Sequence, residues 1–194
     1  MDFFCKHTNT RKKLISIQIG GLYVSRKPVV IETILGSCVA VCMHDAEAKI
    51  GGMNHILLPG RADLRHFDTA ARYGINAMEL LINRILALGG KRDRIIAKVF
   101  GGSHVLPSIS LRNGMGAKNA EFVLEFLEIE GFTLASSDLG GCDTRRVYFH
   151  TDSGDVFLKR IPRSRYPNIA VQERRLAHRV RKKTHEEGDV TLFT

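Results

Sequence analysis

The fold is decided by an almost unbroken apolar run, Ser37-Cys38-Val39-Ala40-Val41-Cys42-Met43. A run of this length without polar alternation is typical of a strand that is covered on both faces. A polar turn follows at residues 44–49, and residues 49–58 then predict a returning strand that ends before Pro59-Gly60. We therefore expect an inner strand with its return strand beside it.

Further strands precede and follow this pair. Residues 14–24 and 29–35 predict two strands separated by the turn Arg26-Lys27-Pro28, and residues 93–100 and 132–136 predict two more. Residues 147–151 and 156–160 predict a hairpin across residues 152–155.

Two helices are predicted between these strands. Residues 68–88 carry apolar side chains at three- and four-residue steps and stop at Gly89-Gly90, and residues 119–130 end at Gly131. Six or more strands with two main helices indicate an α+β or layered α/β fold with mixed β-sheets. At 194 residues the chain is expected to form a single domain.

The positive charge lies mostly at the ends of the chain. Residues 1–13 hold four basic side chains and one acidic side chain, and residues 161–194 hold eight basic and four acidic side chains, out of a net charge of +9. We predict a flexible basic N-terminus at 1–13, a catalytic domain at 14–160 and a basic C-terminal extension at 161–194. That extension is either a disordered tail or a docking element for a partner. No nucleic-acid partner is expected, because the central part is nearly neutral and has no recognised motif.

The cysteines and the N-terminus bear on the compartment. No apolar stretch follows the basic residues of the N-terminus and no apolar run is long enough for a membrane span, so the cytoplasm is expected and membrane insertion is not. Four cysteines in that compartment should be reduced. A metal site at Cys38, Cys42, His44 and His55 is an alternative, but their spacing fits no structural zinc pattern. No metal or cofactor is predicted.

Cys38 and His55 are candidate catalytic residues. Cys38 follows a glycine at the start of the inner strand, and His55 lies on the return strand beside small residues. Neighbouring strands are about 4.8 Å apart, so a thiol and an imidazole on one face can meet. An imidazolium favours the thiolate and can protonate a leaving amine. Thr33 is a candidate to orient His55, and N–H groups around Ser37 and Cys38 are candidate oxyanion donors.

The inert interpretation also applies to these residues. A cysteine in an apolar strand is often a packed thiol, which is our interpretation of Cys42, and a histidine on a strand is often structural. Spacing alone does not decide between a dyad and two packed side chains.

Several stretches closely resemble the chemoreceptor glutamine deamidases (CheD). They are Leu35-Gly36-Ser37-Cys38-Val39-Ala40-Val41, His55-Ile56-Leu57-Leu58-Pro59, Lys98-Val99-Phe100-Gly101-Gly102, Asn113-Gly114-Met115-Gly116-Ala117-Lys118-Asn119, Asp138-Leu139-Gly140-Gly141 and Arg145-Arg146-Val147. The resemblance covers roughly residues 15–160, and its most specific part is the spacing of 17 residues from Cys38 to His55.

The resemblance implies that Cys38 is the nucleophile and His55 its acid/base partner. A threonine shortly before the cysteine completes the family's triad. Thr33 stands five residues upstream where the pattern has six, and a shift of one residue moves a side chain to the other strand face unless a bulge intervenes. Gly101, Gly102 and Ser103 are candidates to line the site, although glycines after a strand are usually turn residues.

The implied activity is hydrolysis of glutamine side chains on methyl-accepting chemoreceptors to glutamate, with release of ammonia. The implied partners are the cytoplasmic domains of those receptors and, in some bacteria, a CheC-type phosphatase that acts on CheY-phosphate. An alternative is a regulatory binding protein on the same fold that docks a receptor or that phosphatase without needing turnover.

Overall fold

A central five-stranded sheet organises the chain. The computed structural model describes residues 12–58, 60, 62–64, 66, 68–104, 114–162 and 175. Within them the strands are β1 (Lys13–Ser16), β2 (Leu22–Ser25), β3 (Val29–Leu35), β4 (Val39–Asp45), β5 (Ile50–Ile56), β6 (Ile95–Gly101), β7 (Thr133–Leu139), β8 (Thr144–His150) and β9 (Val156–Ile161). The helices are α1 (Thr69–Ala87) and α2 (Met115–Ile129), with a 3-10 turn at Arg92–Arg94.

The apolar run forms the middle strand of that sheet. The strand order is β2-β5-β4-β6-β7, and β4 is antiparallel to both neighbours. Every residue of β4 is buried, which confirms the prediction of a strand covered on both faces. The second sheet has the order β1-β3-β8-β9 and includes the predicted hairpin as β8 and β9.

The two faces of β4 enter different hydrophobic cores. Val39, Val41 and Met43 pack with residues of α1 and α2, whereas Ala40 and Cys42 pack with residues of the second sheet. The structure is therefore three-layered, with helices, the five-stranded sheet and the four-stranded sheet in that order. Both sheets mix parallel and antiparallel pairs, so the predicted α+β class with mixed sheets and two main helices is confirmed.

The single strand predicted at residues 14–24 is wrong. β1 pairs parallel with β3 in the four-stranded sheet, and β2 pairs antiparallel with β5 in the five-stranded sheet. The break lies at Gly20-Gly21, where Gly20 has φ +80° and the Gly21 N–H donates to the Gln18 carbonyl at 2.8 Å. Glycine adopts this left-handed conformation more readily than other residues do, and here it lets the chain turn between β1 and β2 and change sheets.

Both predicted helices are present, but the second starts earlier than expected. α2 begins at Met115, whereas the sequence predicted a start at residue 119. The first turn was missed because glycines at 114 and 116 weaken the helical pattern there. No helix among the described residues is long and apolar enough to cross a membrane. Residues 1–11, 163–174 and 176–194 lie outside the described residues, so the flexible N-terminus and the basic extension stay predictions.

The start of α1 generates a stability prediction. The Asp68 carboxylate accepts a 2.7 Å hydrogen bond from the Ala71 N–H and caps the helix. We expect Asp68→Ala to lower the free energy of unfolding by about 1 kcal/mol in urea titrations, because one N–H of the first turn loses its acceptor. Asp68→Asn keeps the acceptor and is the control. An equal loss in both variants would contradict the capping role.

Candidate active site

The chain crosses from one sheet to the other through three small residues, Gly36-Ser37-Cys38, which we call the cysteine turn. It joins β3 of the four-stranded sheet to β4 of the five-stranded sheet. Cys38 is fully buried at the end of this turn and packs in the core between the two sheets. The candidate nucleophile therefore lies where the two sheets meet.

All three carbonyl groups of the cysteine turn accept hydrogen bonds. The Gly36 carbonyl accepts from the Ser103 N–H at 2.8 Å, and the Cys38 carbonyl accepts from the Gly102 N–H at 2.7 Å. The Ser37 carbonyl accepts from the side-chain amide of Asn119 at 2.8 Å. The backbone of the turn is thus fixed from two sides, by the loop after β6 and by α2.

His55 faces the same core as Cys38. It pairs directly with Ala40 of β4, and Cys38 lies two residues before Ala40. One core cluster, between the two sheets, contains Cys38, Ala40, Met53 and Leu57. Met53 and Leu57 are each two residues from His55, so His55 has the same strand parity and lies on the face that carries this cluster. Diagonal neighbours on one sheet face have β-carbons about 7–8 Å apart or less, a span that an imidazole and a thiol can bridge.

The backbone of His55 is fixed by the glycine pair that divides β1 from β2. The Gly20 N–H donates to the His55 carbonyl at 2.8 Å, and the His55 N–H donates to the Gly21 carbonyl at 3.0 Å. The break in the predicted strand therefore has a role in the site, because it anchors His55 from the edge of the sheet.

Thr33 determines which nitrogen of His55 carries the proton. Its hydroxyl donates to the Ile17 carbonyl at 2.9 Å, and its oxygen lies 2.8 Å from Nδ1 of His55. A hydroxyl has one proton to give, so Nδ1 must be the donor in the second bond. Nε2 is then the nitrogen with the lone pair. It is buried and has no hydrogen-bond partner among the described residues.

The spacing of Thr33 does not prevent this contact. Thr33 has the same strand parity as Ile31 and Leu35, which pack in the core between the sheets. The cysteine turn interrupts the strand between Leu35 and Val39, so alternation cannot be counted from Cys38 back to Thr33.

Burial keeps His55 neutral. It lowers the pKa of the imidazole from its ordinary value of 6.5 to about 3. The resting imidazole is therefore neutral, rather than the imidazolium that we expected to favour a thiolate. A thiol beside a buried lone pair can act as a nucleophile whose proton is removed as the substrate is attacked.

Gly101, Gly102 and Ser103 support the cysteine turn. Gly101 has φ +114°, and a β-carbon there would lie 2.2 Å from the Cys38 carbonyl oxygen. The N–H groups of Gly102 and Ser103 donate hydrogen bonds to carbonyls of the cysteine turn. The Ser103 hydroxyl donates to the Asp143 carbonyl at 2.6 Å. These bonds favour a positioning role over the predicted contact with substrate.

The other candidate metal ligands do not gather around Cys38. No group of three or more His, Cys, Asp or Glu side chains in the described ranges could hold a metal ion. Cys42 is buried in the core, and desolvation raises the pKa of its thiol far above the ordinary value. Its surroundings are those of an inert packed thiol.

Several known proteins are similar in sequence to this chain over most of its length. A family model described as CheD chemotactic sensory transduction matches residues 57–160. A protein of Vibrio vulnificus named probable chemoreceptor glutamine deamidase CheD is 38% identical over 98% of this chain and 92% of its own length. The chain belongs to the CheD family.

Other similarities differ in strength. A protein of Dechloromonas aromatica named probable chemoreceptor glutamine deamidase CheD 1 is 43% identical over 90% of this chain and 86% of its own. A crystal structure of the Neisseria meningitidis protein NMB0706, of the DUF152 family model, has a TM-score of 0.37 and 12% identity. The aligned region spans 67% of this chain and 63% of the Neisseria chain. This structural similarity is too weak to support a conclusion about function.

This CheD family member has a buried arginine behind the site that the sequence analysis did not single out. Arg145 donates from Nε to Asp138 and from Nη2 to the Gly140 carbonyl, both at 2.7 Å, and from Nη1 to the Ser103 hydroxyl. It ties the loop after β7 to the loop that supports the cysteine turn. Its only sequence signal was its place in a stretch that resembles the family.

Tyr73 on α1 was also missed. Burial and, second, an electrostatic interaction with Cys38 raise the pKa of its phenol. A β-carbon at Gly20 would lie 3.5 Å from the phenol oxygen. Helical periodicity makes a half-buried tyrosine look like an ordinary core residue, so the sequence gave no signal for this position.

The low pKa of His55 predicts how stability depends on pH. Below pH 6.5 the unfolded chain binds a proton on this imidazole that the folded chain does not bind, so stability falls as pH falls. From pH 7 to pH 5 we expect this group to remove about 2 kcal/mol of the free energy of unfolding. Urea titrations at the two pH values measure this change. Between pH 7 and pH 5 the free energy of unfolding should fall by about 2 kcal/mol more in the wild type than in His55→Gln. An equal fall in both proteins would contradict a buried neutral imidazole.

Proposed function

We propose that this CheD family member is a protein-glutamine deamidase that converts glutamine side chains of methyl-accepting chemoreceptors to glutamate and releases ammonia. The observation that carries the proposal is the pair of bonds made by Thr33, to Ile17 and to His55. They leave the lone pair of Nε2 on the face that carries Cys38. The names of the relatives supply the substrate class.

The first half of the reaction forms a thioester. His55 Nε2 takes the proton of the Cys38 thiol while the sulfur attacks the carboxamide carbon and the oxygen of that group becomes negative. As the tetrahedral species collapses, the carbon–nitrogen bond breaks and the imidazolium gives its proton to the leaving nitrogen, which departs as ammonia.

The second half restores the enzyme. Neutral His55 takes a proton from water, whose oxygen attacks the thioester carbon. The carbon–sulfur bond then breaks, the thiolate recovers its proton from the imidazolium, and a glutamate side chain is released. The nitrogen leaves as ammonia in the first half, so one water molecule is consumed in each cycle.

The setting of the reaction follows from its substrate. The cytoplasmic domains of the chemoreceptors would carry the glutamines, which would place the enzyme in the cytoplasm. A CheC-type phosphatase stays a predicted partner.

Removal of Cys38 tests the proposal most directly. We expect Cys38→Ala to lower ammonia release from a receptor cytoplasmic domain by about 10³-fold or more, because no other group forms the thioester. Intact mass of the receptor domain should show the exchange of an amide for a carboxyl group only with active enzyme. Cys42→Ala is the matched control, since Cys42 is a buried cysteine in the same core. Full turnover by Cys38→Ala would refute the cysteine mechanism.

Thr33 offers a second test. Thr33→Val keeps the shape of the side chain but removes the acceptor of the Nδ1–H and the donor to Ile17, so we expect kcat to fall by about 10²-fold. Thr33→Ser keeps the hydroxyl and should retain most of the activity. Equal activity of the valine and serine variants in steady-state assays would show that the hydroxyl does not hold the tautomer.

A further inference from the structure

Arg145 is a buried cation that joins two loops behind the cysteine turn. Its side chain is only 3% exposed. The guanidinium donates to the Asp138 carboxylate, to the Gly140 carbonyl and to the Ser103 hydroxyl. The N–H groups of a guanidinium form a rigid planar fork, so these partners are held in fixed directions relative to one another. The loop after β7 and the loop after β6 are therefore fixed to one side chain.

Ser103 connects Arg145 to the start of the cysteine turn. Its hydroxyl accepts from Arg145 and donates to the Asp143 carbonyl, so the side chain is bonded both as acceptor and as donor. The N–H of the same residue donates to the Gly36 carbonyl at 2.8 Å. A displacement of Arg145 should therefore move the N–H group that holds Gly36.

Gly140 connects Arg145 to the end of the cysteine turn. Arg145 donates to the Gly140 carbonyl at 2.7 Å, and the Gly140 N–H donates to the Gly101 carbonyl at 3.0 Å. The Gly102 N–H belongs to the same peptide unit as that carbonyl, and it donates to the Cys38 carbonyl at 2.7 Å. Because a peptide unit is planar and rigid, a movement of Gly140 is passed on to Cys38.

We propose that Arg145 is a positioning residue for deamidation, which sets where the Cys38 thiol lies relative to His55. It does so by holding both ends of the cysteine turn, through Ser103 and through Gly140. This inference rests on the proposed function. The backbone of His55 is fixed by a different part of the fold, the glycine pair between β1 and β2. Loss of Arg145 should therefore displace one reacting group and leave the other in place.

The fold supplies a matched control in Arg94. Its Nη2 and Nε donate to the carboxylate of Asp45 at 2.7 and 3.1 Å, and Asp45 is fully buried. Arg94 is thus a second guanidinium that pairs with a carboxylate, but at the far end of β4. Asp45 is the last residue of that strand and Cys38 precedes its first, a separation of about 20 Å. Loss of Arg94 should lower stability without disturbing the cysteine turn.

The experiment compares Arg145→Met with Arg94→Met at a temperature where circular dichroism shows both variants to be folded. Methionine keeps an unbranched stem but has no N–H group. For Arg145→Met we expect kcat for the receptor domain to fall by about 10²-fold, because a misplacement of about 1 Å in a reacting group costs this much. KM should change little, since Arg145 holds the turn and not the substrate. Arg94→Met should keep kcat within about threefold despite a lower melting temperature, because distant sites act independently.

Arg145→Lys separates geometry from charge. Lysine keeps a positive charge near Asp138, but an ammonium group lacks the planar fork that reaches Asp138, Gly140 and Ser103 together. We expect Arg145→Lys to recover part of the melting temperature that Arg145→Met loses. Its kcat should stay within about threefold of that of Arg145→Met, because the planar contacts are still missing.

Ser103→Ala tests the connection through the hydroxyl with a smaller change, which also serves if Arg145→Met does not fold. We expect its kcat to fall by about tenfold, because the N–H that holds Gly36 remains but the side chain beside it is no longer anchored. If the two residues act together, adding Ser103→Ala to Arg145→Met should lower kcat by no more than about threefold further. Independent effects would multiply to a loss of about 10³-fold.

Each comparison can overturn the inference. Arg145 would be an ordinary structural cation if Arg94→Met lost as much kcat as Arg145→Met, or if Arg145→Lys regained kcat together with stability. Multiplied losses in the double variant, or an unchanged kcat in Ser103→Ala, would also count against it. A wild type that releases no ammonia from the receptor domain would refute the proposed function instead.

Discussion

The crossing of the chain between the two sheets at Gly36-Ser37-Cys38 is the constraint on which the rest of the structure depends. Three residues must carry the backbone from one layer to the next, so their carbonyl groups leave the regular strand ladders inside a buried region. Each buried carbonyl needs a donor, because an unpaired one is costly. The loop after β6 and the Asn119 amide meet this need, and they thereby fix the position of Cys38.

Burial of His55 has a chemical consequence. A solvated imidazole beside a thiol would share a proton with it and rest partly as an ion pair. Here desolvation lowers the imidazole pKa to about 3, so charge forms only during the reaction. Thr33 compensates in part, because its oxygen accepts the Nδ1–H and stabilises the imidazolium when it forms. The imidazole therefore rests neutral and becomes charged only when it takes up a proton.

The sequence predicted the layers better than the contacts. The apolar run identified β4 because burial on both faces leaves a local pattern, and the resemblance supplied Cys38 and His55. The strand predicted at residues 14–24 was wrong, since its two halves are individually good strands and only Gly20 records the change of sheet. Asn119 and Arg145 lie in stretches that resemble the family, but their contacts could not be predicted, because a buried polar side chain is defined by partners far away in sequence.

The origin of these side chains ties the site to the complete fold. Thr33 comes from the four-stranded sheet and His55 from the five-stranded sheet. Cys38 comes from the cysteine turn that leads into β4, and Asn119 comes from the helix layer. No single layer holds enough of them to form the site. Their relative positions are set by the two cores that separate the layers, and close packing leaves such cores little freedom to adjust. A change in either core should therefore alter the geometry around Cys38 before it unfolds the chain.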